Sequence, residues 1–340
     1  MFETKNILNS YNFARNSDIV YSEIVTHEQF EKLEIKNYKI INQTDRLIFY
    51  KLTEIGLKEN DLIFCNTDVV KNLFNLLRNV KNLKNLKLIT NQTDTLIDKR
   101  LYNLKPDCIN FWYSINVGHK SDDLIPIPLG LSNDYSPKNI LVNDIDFKGV
   151  NEMADSILYL NFATNTNQKE RSGIYKIYEN QDWTVANSPD LNINNYQESL
   201  SRYRFTMCPW GNGIDTHRVW ETLYLGNIPV TKEHFTFSNI TDLPIFFVSK
   251  YGDIKLENLI NFFNKVKNKN DLYKKLNINY WIKLMREIQV ESNVSIRLAE
   301  HSIHTEFFVL KHKIKSKFFS RIKKIKYYLG KVKRILKYLK

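Results

Sequence analysis

The stretch from Arg204 to Val230, RFTMCPWGNGIDTHRVWETLYLGNIPV, leaves the chain few folds to choose from. The apolar run Phe205 to Cys208, closed by Pro209, has the length and content of a buried strand. Gly211-Asn212-Gly213 then reads as a turn that lets another group approach the backbone closely. Asp215 is placed to cap a helix whose apolar face is Val219, Trp220, Leu223 and Tyr224, and Gly226 suits the left-handed residue that ends it. Ile228-Pro229-Val230 follows at once as a second strand. Strand, glycine turn, helix and strand in so short a span is the anion-cradling unit of an open α/β sheet.

The polar residues narrow that unit further. Asn212, Asp215, His217, Arg218 and Glu221 crowd into the turn and the first helical turns, where unpaired N–H groups and the positive helix end favour an anion. Arg218 has the forked donors for a diphosphate, and Glu221, one turn on, can accept two ribose hydroxyls. A nucleotide diphosphate satisfies the whole set. An i,i+3 ion pair on a solvated helix face, beside an ordinary tight turn, satisfies Arg218, Glu221 and the glycines equally well.

This segment resembles the nucleotide-sugar motif of exostosin-like glycosyltransferases and their bacterial and viral relatives. Cys208, Pro209, Gly211, Gly213, Asp215, Arg218, Glu221, Leu223, Gly226, Ile228, Pro229 and Val230 stand where that pattern wants them, while Trp210 stands where the family often has Arg or Ser. LITNQTD (Leu88 to Asp94) and WYSINVGHKSDDLIPIPLGL (Trp112 to Leu131) resemble two further segments, and Ala163 to Arg171 a third, so the likeness runs from Leu86 to Phe247. It implies an α/β, GT-B-like fold: two Rossmann-like doubly wound domains facing a cleft, with the donor site in the C-terminal half. It also implies a glycosyltransferase that moves a sugar from a UDP- or GDP-linked donor to a hydroxyl of a glycan or lipid-linked acceptor in surface polysaccharide synthesis, by inversion and without a metal. The implied donor-binding set is Asn165, Arg171, Gly211, Asn212, Gly213, Asp215, His217, Arg218 and Glu221.

Elsewhere the chain alternates short apolar runs with helical periodicity. Tyr38 to Ile41, Leu47 to Tyr50, Asp61 to Cys65, Leu86 to Thr90 and Cys108 to Tyr113 suit buried strands, and Val69, Val70, Leu73, Leu76 and Leu77 mark a helix between two of them. Such alternation predicts a parallel sheet whose strand ends hold ligands. Those ends carry Asn66-Thr67-Asp68, Asn91-Gln92-Thr93-Asp94 and Ser114-Ile115-Asn116. A base for the reaction is expected there, Asp94 first, then Asp68 and His119, each of which also suits a capping or turn role. The polar stretch 137–155 reads as a linker, giving an acceptor domain over 1–150 and a donor domain over 151–310. Ile157 to Phe162 opens the second sheet, and Leu256 to Phe263, Leu272 to Leu276 and Tyr280 to Val290 are expected to complete its helical cover. Lys232 and His234 can reach the sugar or its phosphates, or form a surface turn.

Composition excludes several classes. Cys65, Cys108 and Cys208 form no spaced pair, which argues for a reducing compartment and against a disulfide frame or zinc site. His301 and His304 have no carboxylate or cysteine cluster beside them, and Asp144 and Asp146 fall in the linker, so no metal or other cofactor is expected. The N-terminus lacks a signal-peptide core and no run is long enough to span a bilayer.

The net charge of +12 is concentrated: 13 of the 49 lysines and arginines lie in 311–340, which holds no acid. Ile314, Phe318, Ile322, Ile325, Leu329, Val332, Leu336 and Leu339 recur there at helical spacing among the basic residues, the pattern of an amphipathic helix on an anionic membrane surface. A cytoplasmic enzyme resting on the inner face of the membrane is the expectation, with no nucleic-acid partner. A basic nucleic-acid-binding protein and a non-catalytic scaffold on the same fold are the rivals, and nucleotide-sugar titration separates them from an enzyme.

Overall fold

The computed structural model describes residues 3–134, 139–141, 156–267, 273–291 and 294–300, and of the last stretch 306, 307, 309–314, 318 and 321. Most of the expected linker, the Asp144/Asp146 pair, the His301/His304 pair and most of the basic tail lie outside the described residues.

The strands are β1 Ile19–Thr26, β2 Tyr38–Gln43, β3 Leu47–Leu52, β4 Glu54–Lys58, β5 Leu62–Asn66, β6 Leu86–Asn91, β7 Ile109–Ser114, β8 Leu124–Pro126, β9 Ser156–Leu160, β10 Thr184–Ala186, β11 Tyr203–Met207, β12 Ile228–Lys232, β13 Phe246–Val248 and β14 Ser295–Ala299. The helices are α1 Ser10–Arg15, α2 His27–Glu31, α3 Val70–Leu77, α4 Lys99–Tyr102, α5 Gln168–Arg171, α6 Ile174–Tyr178, α7 Ile193–Arg202, α8 His217–Tyr224, α9 Leu256–Val266 and α10 Ile278–Arg286.

The first sheet runs β2-β3-β1-β5-β6-β7-β8. Its five strands from β1 to β8 are parallel, and β3 and β2 extend it antiparallel at one edge. Alternation along each strand sorts the side chains between two faces. Ile63, Cys65, Leu88 and Trp112 meet α3 and α4 through Leu73, Phe74, Leu77 and Leu101. On the other face Leu62, Phe64, Ile89 and Tyr113 meet α1, α8 and α10 through Phe13, Trp220, Leu223, Trp281 and Met285. Large apolar side chains buried this way contribute about 1.5–3 kcal/mol each.

This corrects the expectation of two doubly wound sheets. In the first, the parallel strands follow one another without reversing, so right-handed crossovers put all their helices on one face. The opposite face is covered by helices from both ends of the chain and by α8. The expectation for the trailing helices is corrected as well. Only α9 packs on the second sheet, through Leu259, Phe263 and Val266; α10 lies on the first, and β14 pairs antiparallel with β4. The apolar face of α10 (Ile278, Trp281, Met285) fits the core that α8 already shares with the first sheet, and periodicity alone does not say which sheet a helix will cover.

The second sheet runs β10-β9-β11-β12-β13, all parallel. That is the doubly wound order 2-1-3-4-5, with its reversal between β9 and β11, and ligands collect at the carboxyl ends of the strands where the order reverses. The loops after β9 and β11 are 161–167 and 208–216.

Candidate active site

The loop after β11 delivers the chain into α8. Gly211 and Gly213 do not adopt left-handed backbone; they are needed for clearance. A Cβ on Gly213 would stand 2.8 Å from the Asn116 amide nitrogen and 3.1 Å from Asp94 Oδ1, and one on Gly211 would stand 3.2 Å from an Arg171 terminal nitrogen. At the far end Gly226 is left-handed (φ 80°), with Gly226 N–H donating to Leu223 O and Asn227 N–H to Thr222 O, both at 3.0 Å, a Schellman closure.

The start of α8 is fastened to the first sheet. Asn116, left-handed at the end of β7, accepts at Oδ1 from the Ile214 and Asp215 N–H groups (2.8 and 3.0 Å). Asp215 does not cap the helix: Thr216 takes the N-cap position, and the Asp215 carboxylate accepts from Leu129 N–H and Trp220 Nε1–H, each at 2.9 Å. Burial raises Asp215 to about 7, against the pull of those donors. His217 Nδ1 donates to Gly130 O at 2.8 Å.

Around this turn lies a polar pocket of about 780 Å³. Gln92, Thr93, Asp94 and Leu129 form its wall on the first-sheet side. Asn161, Thr166 and Arg171, then Pro189, Leu191 and Tyr196, form the opposite side, and Gly211 to Gly213, Asp215 to Arg218 and Glu221 form the floor. Among the described residues no group of three or more His, Cys, Asp or Glu side chains stands close enough to hold a metal ion.

Within the pocket the two charged residues of α8 differ in how far they are committed. Both Glu221 oxygens are engaged, one by Ile140 N–H at 3.2 Å and the other by Tyr196 O–H at 2.8 Å, and the residue is 2% exposed. It does not sit on a solvated helix face. Arg218 lies with its guanidinium 5.7 Å from the centre of the Tyr196 ring, and its Nε is buried with no hydrogen-bond partner. Burial works against its charge, but Tyr196 and Glu221 together outweigh that and hold its pKa above the ordinary value. Thr216 Oγ1, at the N-cap, is likewise buried without a partner. Buried donors left unsatisfied cost about 1–3 kcal/mol each, which an anion at the helix start would recover.

The expected residues divide accordingly. Gly211, Asn212, Gly213, Asp215, His217, Arg218, Glu221 and Arg171 all border the pocket, and Asp94 borders it from the other side. Arg171 is occupied: Nε, Nη1 and Nη2 donate to the carbonyls of Trp210, Ala163 and Pro209 at 2.8, 2.8 and 3.0 Å. Burial and the neighbouring Arg218 charge lower it to about 10. It braces the glycine turn rather than offering its fork to a ligand. Asn165 is exposed and does not line the pocket. Neither do Asp68, whose carboxylate accepts from Thr95 Oγ1, and His119, whose ring lies 4.8 Å from that of Tyr102. Lys232 is paired with Glu170 at 2.8 Å and lies over the Trp210 ring, and the His234 ring meets Trp210 edge-on.

Tyr196 and Asn116 carry much of this geometry; Tyr196 was not singled out from sequence, and Asn116 was named only as part of the strand end Ser114-Ile115-Asn116. Tyr196 sits on a polar helix with nothing near it in sequence to mark it. Asn116 had one signal, a polar residue directly after a parallel strand.

No family model matches the chain, and no curated protein does. Among solved structures it is similar to one titled "Crystal structure of GtfA/B complex", at 10% identity and a TM-score of 0.30, over 68% of this chain and 54% of that one. The chain thus spans about half the length of the structure it matches. A likeness of that size leaves the reading of the pocket to its own chemistry.

Proposed function

We propose that the chain is a glycosyltransferase of GT-B-like architecture, related to the exostosin-like enzymes, that transfers a sugar from a nucleotide-diphosphate donor to a hydroxyl of a glycan or lipid-linked acceptor. The observation that carries this reading is Arg218: a partly buried arginine whose Nε has no hydrogen-bond partner, at the start of a helix, in a polar pocket at a strand-order reversal, with a carboxylate on the facing wall. In this scheme the diphosphate lies on the α8 N-terminus and Arg218, which take up the negative charge as the bond from the anomeric carbon to the phosphate oxygen breaks. Asp94 removes the proton from the acceptor hydroxyl as its oxygen attacks the same carbon from the opposite side, giving inversion. Arg171 and Asn116 hold the turn still, and no metal takes part.

The test is a panel of UDP- and GDP-sugars, assayed for hydrolysis and for transfer to simple glycan acceptors. One donor is expected to turn over, with EDTA leaving the rate unchanged and Asp94→Asn lowering kcat by about 10²–10⁴-fold. No turnover with any donor, together with no nucleotide binding, refutes the proposal.

A further inference from the structure

Asn116 keeps half of its amide in reserve. It follows β7 in the left-handed region (φ 53°), which Asn tolerates better than most residues, and it is 1% exposed. Its Oδ1 accepts from the Ile214 and Asp215 N–H groups, so two backbone donors set which way the amide is turned. Its Nδ2 is buried and has no hydrogen-bond partner. Beside the same glycine turn stands Asp94, whose carboxylate is exposed and, among the described residues, engages no hydrogen bond or ion pair. The two groups flank one point. The position that a Cβ on Gly213 would take is 2.8 Å from Asn116 Nδ2 and 3.1 Å from Asp94 Oδ1. A donor without an acceptor and an acceptor without a donor thus border the gap left by the missing side chain.

We infer that Asn116 is a positioning residue for Asp94: its Nδ2–H donates to the Asp94 carboxylate and fixes that group over the glycine turn. The inference rests on the proposed reaction for its catalytic consequence, but not for the contact itself. A buried N–H left unpaired is costly, whereas an exposed carboxylate in the loop after β6 changes rotamer at little cost. With both halves of its amide in use, Asn116 joins two parts of the site. Oδ1 holds the start of α8, where the diphosphate is proposed to lie, and Nδ2 holds the carboxylate proposed to take the acceptor's proton. One side chain then sets the spacing between leaving group and nucleophile, and a misplacement of about an ångström there costs on the order of 10²-fold in rate.

The test has one arm that needs no substrate. Asp94→Ala strands the buried Nδ2–H and should lower the melting midpoint of the full chain by about 2–6 °C, whereas loss of an unpaired surface carboxylate should hardly move it. Asp94→Asn keeps an acceptor oxygen and should recover at least half of that fall. Asn116→Asp keeps the Oδ1 acceptor and removes the donor, so in that background Asp94→Ala should cost nothing. An Asp94→Ala midpoint within about 1 °C of the parent, or an equal fall in both backgrounds, overturns the inference. The second arm uses whichever donor sugar turns over. Asn116→Asp should lower kcat by about tenfold or more while donor KM changes by less than about threefold. A rise in donor KM that matches the fall in kcat overturns the inference, since a residue that only holds α8 in place would give that pattern. If no donor turns over, the glycosyltransferase reading fails by itself, and the melting arm still decides the contact.

Discussion

Glu221→Ala separates two roles for this carboxylate. Read from sequence, Glu221 is a ligand for ribose, and its loss should leave the fold untouched. The structure gives it another task first: it accepts from Tyr196 O–H at 2.8 Å and Ile140 N–H at 3.2 Å while 2% exposed. Alanine leaves both donors without a partner in a site that water reaches poorly. At about 1–3 kcal/mol for each unsatisfied buried group, the loss should come to about 2–6 kcal/mol. With roughly 2 °C per kcal/mol for a chain of this size, the melting midpoint should fall by about 4–12 °C. Glu221→Gln keeps one acceptor oxygen and should lose about half as much. Calorimetric melting of the three proteins in parallel is the assay. A Glu221→Ala midpoint within about 1 °C of the parent would refute the reasoning and return Glu221 to the role of a free ligand group.

Other consequences follow from the same geometry. Arg218→Ala removes the charge-assisted donors for the diphosphate and should weaken UDP or GDP binding by about 1.5–3 kcal/mol, read by titration calorimetry. Gly213→Ala inserts a methyl group 3.1 Å from Asp94 Oδ1 and 2.8 Å from the Asn116 amide. Displacement costs on the order of 10²-fold per ångström, so kcat should fall far more than donor affinity. Asp215 stays protonated to about pH 7 in the folded protein, against a normal value of 3.8. Its contribution to stability is therefore fully present below about pH 4 and lost as pH rises through 7, and Asp215→Asn should flatten the fall in melting midpoint over that window.

Much of the fold near the pocket was legible because it is local. The runs that became β5, β6, β7, β9, β11 and β12 are continuous apolar segments bounded by turn residues, and α8 carries its apolar face and terminal glycine in plain view. β1 was not legible, since Ser22 and Glu23 interrupt its apolar run; Glu23 is buried only because Arg15 and Tyr50 come to it from elsewhere. β4 and β14 escaped for a related reason: each is short and part polar, and each becomes a strand by pairing with a partner more than 200 residues away.

The site divides along the same line. The glycines were correctly read as points of close approach, but what approaches them, Asn116 and Asp94, comes from the other sheet. Spacing does not disclose such partners. Arg171, Asp215 and Glu221 were chosen as ligand groups from their residue types, yet each is engaged by backbone or side-chain partners of the protein itself. Arg218 is the residue for which charge, position and an unfilled hydrogen bond agree.

Titration of the intact chain with UDP and with GDP, beside Arg218→Ala, tests the central claim most directly. The account predicts saturable one-to-one binding of at least one of the two nucleotides, with that affinity weakened by about 1.5–3 kcal/mol in the variant. Absence of heat with both nucleotides, or binding that Arg218→Ala leaves unchanged, would contradict it.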